Sequence, residues 1–303
     1  MNEIRLTGLK AGHPLGFLAA LGVFRHATTL SGGAAVTLHW TPSAGHWCPV
    51  LRRQEPWNAD QLVQLLVDQL PTLADRPEWA WSDQIKKTTV ADYWAVCQQH
   101  RDSHADWFVA FASELGLAKD GTLRSTLLDM TGGQQKFLLK LRQASASLAQ
   151  SPSRAEALFR EALFGPWRYE AASRGEEAEN SHSLGLDPST LLKGAFTAEV
   201  PAGIKDKRGI RGAIWLAFEA LPLLPCVYEN GPRTVGFVRE QRTTYFYWSI
   251  WDTPLSLVTV RTVLQQAPAE KHKGRGIVAQ FRSERINLEK DYYALAPAEL
   301  VVE

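Results

Sequence analysis

The sequence predicts an α+β fold, with a mixed sheet drawn from N- and C-terminal strands and a central, mainly helical region. Three observations predict it. The chain opens with a strand-helix-strand pattern, its middle repeats apolar residues at helical spacing, and its last third alternates aromatic and polar residues as strands do.

Residues 4–9 read as a short strand ending at Gly8 and Gly12, and Pro14 stands where proline suits the first turn of a helix. Residues 15–24 are apolar on every side, so this helix must be buried, with Gly16 and Gly22 permitting close approach of another backbone. Ser31-Gly32-Gly33 breaks it, and Val36, Leu38 and Trp40 alternate with Thr37 and His39 as in a half-buried strand. Leu62, Leu65, Leu66 and Leu70 then space an amphipathic helix that starts at Asn58 or Asp60 and is expected to stop at Pro71. The same periodicity predicts helices over 90–99, 106–115, 134–148 and 154–164.

Residues 171–188 begin small, polar and acidic, the composition of a flexible surface loop, and divide the chain into 1–170 and 189–303, two parts expected to share one core. Beyond them a helix over 213–221 ends in Pro222-Leu223-Leu224-Pro225. Strands over 234–238 and 244–251 flank a charged hairpin, a helix covers 255–264, and 276–282 alternates as a strand. No repeat recurs at solenoid periods.

Composition narrows the function. The 303 residues are 45% hydrophobic, enough for a large core and too many for a disordered scaffold. No apolar run reaches the roughly 20 residues that span a bilayer, and the first residues lack the features of a secretory signal, so no membrane partner and a cytoplasmic location are expected. Three scattered cysteines, Cys48, Cys97 and Cys226, make neither a disulfide framework nor a metal knuckle and fit a reducing compartment. A net charge of +1 excludes a protein that coats nucleic acid through a global positive field. Most of the eleven tryptophans are expected to anchor the core.

No catalytic constellation emerges. His100 and His104, with Asp106, could grip a divalent ion from one helix face, yet Arg101 stands where a zinc protease has glutamate and no third ligand follows from the spacing. Cys48 beside His46 lacks an orienting acid and reads as packing. The segment Gly12-His13-Pro14 has no Walker-type Gly-Lys-Ser or Gly-Lys-Thr, and no carboxylates are paired at a useful spacing, so neither a nucleotide nor any other cofactor is expected.

Basic residues next to glycines are the positive signal. Gly132-Gly133 leads into a helix start with Lys136 and Lys140 on one face; Lys205, Lys207, Arg208 and Arg211 surround Gly203 and Gly209; and Lys271, Lys273 and Arg275 precede Gly276, with Arg282 on the following strand. Glycine beside lysine or arginine lets backbone approach phosphates closely, which gives salt-dependent affinity without sequence readout. The plainer reading of each is a capped helix start or a solvated loop.

Four stretches resemble one family. Leu6-Thr7-Gly8-Leu9 followed by His13-Pro14-Leu15-Gly16-Phe17-Leu18-Ala19-Ala20-Leu21-Gly22-Val23, then residues 128–135, 211–223 and 248–257, look like proteins encoded with CRISPR type I-G (formerly I-U) genes. The resemblance implies a subunit or accessory of a crRNA-guided antiviral complex, similar in role to its large subunit or to an extension of its helicase-nuclease. Its partners would be crRNA or target DNA and sister subunits, with no chemistry required of this chain. At 303 residues the chain is small for a full large subunit, which leaves motif reading and strand separation outside that expectation. The rivals are a protein-interaction scaffold without nucleic acid and a metal-dependent nuclease built on His100, His104 and Asp106.

Overall fold

The computed structural model describes residues 2–31, 35–81, 84–101, 104–131, 136–169, 184–189, 209–228, 231–266, 276–289 and 292–302. In chain order they form β1 (Glu3–Arg5), α1 (Pro14–Leu30), β2 (Val36–Ser43), β3 (His46–Arg53), α2 (Ala59–Ala74), α3 (Val90–Gln99), α4 (Ala105–Phe111), β4 (Ala112–Leu117), β5 (Leu123–Ser125), α5 (Phe137–Ala149), α6 (Pro152–Phe164) and α7 (Arg211–Glu219). There follow β6 (Cys226–Tyr228), β7 (Pro232–Thr234), β8 (Phe237–Glu240), β9 (Thr243–Trp251), α8 (Leu257–Gln265), β10 (Ile277–Glu289), β11 (Tyr292–Leu295) and β12 (Glu299–Val302). The fold is α+β.

Helix α1 is buried along nearly its whole length, as an all-apolar helix must be. At Gly22 it meets α7 so closely that an added Cβ would lie 1.7 Å from the Leu216 carbonyl oxygen. On its other side Phe17 stacks on Trp40 of β2 and Trp248 of β9, at ring-centroid distances of 5.9 and 5.6 Å. The first helix thus sits between the helical region and both major sheets.

Those sheets are separate rather than one mixed ladder, and among the described residues every strand pair is antiparallel. β3 lies between β1 and β2, while β10 lies between β9 and the β11 and β12 strands, with β8 at the far side of β9. The reason is local pairing. Two-residue turns at Ala44-Gly45 and Gln241-Arg242, with φ of 45° and 82° in the first and 53° at Gln241, return each strand onto its sequence neighbour. The sheets still meet. Leu38 and Leu255 exchange backbone hydrogen bonds of 3.0 Å, and the indole nitrogens of Trp251 and Trp248 donate to the carbonyls of Leu38 and Ala11. One cluster of buried residues includes members from Ile4 to Leu295.

Four expectations need correction. The helix read over 106–115 ends at Phe111, because Ala112 is extended, the Phe111 carbonyl accepts from Thr126 N–H, and the chain continues as β4 against β5. Helix α2 runs through Pro71 to Ala74; in a last turn, proline removes only its own bond to the preceding turn. The strand read over 234–238 is split into β7 and β8 at Gly236, whose φ is 84°. The end of the acidic loop is not a surface element: Leu184, Leu186 and Asp187 are buried, and Gly185 O accepts from Leu295 N–H.

Cys48 is a packing residue, as read, while Cys97 and Cys226 are partly buried. Cys48 is buried, and burial pushes the Cys226 thiol up to about 11. Native protein at pH 8 is therefore expected to react with a thiol probe at Cys226 far more slowly than unfolded protein does; labelling of Cys226 at the unfolded rate would contradict this packing. No helix among the described residues is long and apolar enough to cross a membrane.

Candidate functional site

Helix α6 sets up the site through its own end. The last carbonyls of a helix have no partner within it, and here each finds one: Glu161 O accepts from Gly165 N–H, Ala162 O from the Trp167 indole, Leu163 O from Gly8 N–H and Phe164 O from the Thr7 hydroxyl, all within 2.9 to 3.0 Å. The β1–α1 connection is thereby fastened to the C-terminus of α6. Gly8 is required there, since a Cβ would sit 2.6 Å from Ala162 O.

Between these segments lies a cleft of about 520 Å³, walled by Thr7, Gly8, Lys10 and His13 on one side, by residues 164–167 and Tyr169 on the other, and closed by Ser189. Trp167 is half-buried and pinned by its indole bond, with its ring edge-on to both His13 and Tyr169, at centroid distances of 5.2 and 6.2 Å. Lys10 is exposed on the rim. The Tyr169 hydroxyl donates to Asp187 Oδ1 at 3.4 Å, and burial raises its pKa above the ordinary phenol range, so it remains a donor.

His13 decides what chemistry the cleft can support. Its Nδ1 caps α1 by accepting from Gly16 N–H, so the neutral tautomer that satisfies this contact carries its proton on Nε2. That nitrogen faces Asp187 Oδ1 and Ser189 Oγ, each at 3.4 Å. A nucleophilic serine needs an unprotonated nitrogen at its hydroxyl and the acid on the opposite ring nitrogen. Here serine and acid share one N–H, and Ser189 N–H donates to the same Asp187 oxygen at 2.9 Å. The arrangement orients donors and does not activate a nucleophile.

No family model matches the sequence, and no curated protein matches it significantly.

Of the basic residues read from the sequence, Lys205, Lys207, Arg208, Lys271, Lys273 and Arg275 lie outside the described residues. Lys136 stands at the N-cap position of α5, and Lys140 follows one turn later on the same face. Arg211 opens α7 and is half-buried. Arg282 is engaged with protein, bonded to Glu299 at 2.9 Å and Tyr247 at 3.3 Å and lying over the Tyr245 ring. His100 and His104 do not share a helix: the first ends α3, the second precedes α4 and bonds Glu78 at 2.9 Å, and Asp106 is paired with Arg261. Among the described residues no three His, Cys, Asp or Glu side chains are placed to hold a metal.

A second polar group is buried outside the cleft. Glu219, fully enclosed, receives Arg76 on both carboxylate oxygens, His26 at 2.9 Å and Arg25 at 3.4 Å, while the Arg76 guanidinium lies between the rings of Trp79 and Trp107 at 4.3 and 4.2 Å. Aromatic walls close this cluster, which ties α1 and α7 to the loop after α2.

Proposed function

We propose that the protein is a non-catalytic subunit of a crRNA-guided antiviral complex, seated beside sister subunits, and that the cleft is where it touches the crRNA or target strand. One observation carries the reading: the cleft combines the rings of Trp167 and Tyr169 with an exposed lysine and the Ser189 hydroxyl, while His13, Ser189 and Asp187 are arranged to orient rather than to react. Aromatic faces beside a cation hold single-stranded nucleic acid without reading its sequence. The resemblance of residues 6–23, 128–135, 211–223 and 248–257 to type I-G proteins supports the same role. In guided complexes base pairing reads sequence and protein holds the strands, so a near-neutral chain with a local contact is sufficient.

The test is a salt titration of affinity for short oligonucleotides. Lys10→Glu is expected to weaken binding to all sequences alike and to flatten the dependence of log affinity on log salt by about one unit. Folding should be unaffected, since exposed substitutions usually cost under about 0.5 kcal/mol. Equal affinity and equal slope for variant and parent would remove the cleft from the contact.

A further inference from the structure

We infer that the cleft receives a single unpaired nucleotide, its base against Trp167 and a flanking phosphate at Lys10, so that this protein selects unpaired strands over duplex. The inference rests on the nucleic-acid reading above and names the ligand of the same site.

Size comes first. A cleft of about 520 Å³ lies in the range of sites that enclose one small planar molecule, and a stacked duplex cannot enter it without extruding a base. Wall chemistry comes second. Phe164, Pro166 and Trp167 make one side apolar, and the indole cannot swing away because its N–H is held by Ala162 O. A ring fixed in advance loses little freedom when a base stacks on it. The opposite end carries the Ser189 hydroxyl, suited to the carbonyl and ring-nitrogen acceptors on a base edge, while the His13 Nε2–H is held by Asp187. Every base has a π-face and at least one such acceptor, so the site holds bases without choosing among them.

Charge comes third and sets where the phosphate lies. Across the Gly165-Pro166 ridge a second cleft of about 690 Å³ is lined by Arg160, Glu161 and Arg168, but Arg160 there is already bound by Asp60 and Glu156 at 2.7 and 2.8 Å. Among the described residues that line the first cleft none is acidic, and the buried Asp187 behind it is turned to His13 and Tyr169. The phosphate is therefore placed at the Lys10 rim.

The experiment titrates the full chain with labelled single-stranded RNA, single-stranded DNA and the matching duplex at one salt concentration, then repeats the series with variants. Single strands are expected to bind at least about tenfold more tightly than duplex; the RNA and DNA arms identify which strand is preferred. Trp167→Ala should lose about tenfold in single-strand affinity with the salt slope unchanged, and Trp167→Phe should restore most of it. Lys10→Glu should change the slope instead. A thermal midpoint for each variant separates lost stacking from lost folding, and Trp167→Phe keeps the test decisive should the alanine variant unfold. Equal binding of duplex and single strand, or parental affinity in a folded Trp167→Ala protein, would overturn the inference while leaving the nucleic-acid reading standing. Absence of binding to every strand would overturn both.

Discussion

Replacing Glu219 with glutamine is expected to destabilise the protein by about 3 to 5 kcal/mol at pH 7, the cost of leaving a buried charge without its partner. The substitution keeps shape and volume, so little of the loss can come from packing. It removes the negative charge facing Arg76, Arg25 and His26 and turns an amide N–H₂ toward donors that previously met a carboxylate. Burial alone would raise the Glu219 pKa, but attraction to Arg76 and His26 and their hydrogen bonds outweigh it and hold the carboxyl well below the ordinary carboxylate range. A depressed folded-state pKa contributes stability that is complete above the unfolded value of about 4.3 and is lost as pH falls below it toward the folded value. Urea midpoints of parent and Glu219→Gln should therefore be far apart at pH 7 and converge as pH falls from about 5 toward 3. Equal midpoints at pH 7 would show that the cluster does not carry this energy.

Gly22→Ala is expected to cost at least about 3 kcal/mol, at the upper end of overpacking effects, although alanine favours helix over glycine by about 1 kcal/mol. The new methyl would meet the Leu216 carbonyl oxygen at 1.7 Å and its carbon at 2.7 Å, and these are backbone atoms that no rotamer change can move. Nor can α7 retreat, because at Gly212 it is already against α6, where a Cβ would lie 2.5 Å from Leu158 O. Relief requires separating three helices. A thermal or urea midpoint unchanged from the parent would show that α1 and α7 are not in this contact.

The elements legible in the sequence are those whose signals are local. Residues 15–24 announced a buried helix because no face is polar, and Thr89 with Asp92 closes a capping box at the start of α3, where periodicity had placed it. Signals failed where pairing at a distance decides. Trp107, Phe108 and Phe111 lead into Leu115 at helical spacing, yet the Phe111 carbonyl is taken by Thr126 and the chain turns into β4. Strand β3 carries Pro49 and two terminal arginines, and only its place between β1 and β2 makes it a central strand. The cleft was illegible for the same reason. Lys10, His13, Trp167 and Ser189 come from three separate segments, joined by carbonyl capping at the end of α6 that no short motif encodes. The buried cluster did leave a trace: Glu219 is the one acidic residue in the apolar run 212–224, a position that calls for a buried cation.

The packing of α1 on α7 has a consequence for the order of synthesis. His26 and its partner Glu219 are 193 residues apart. At ribosomal rates of about 5–20 residues per second, the nascent chain carries its most apolar helix for roughly 10 to 40 s before the surface that covers it exists. Through that interval the helix must be shielded by other means, in transient collapse with α2 and β2 or in the grip of a chaperone. A chain halted before α7 never obtains the cover that α7 gives to the Gly22 side of α1.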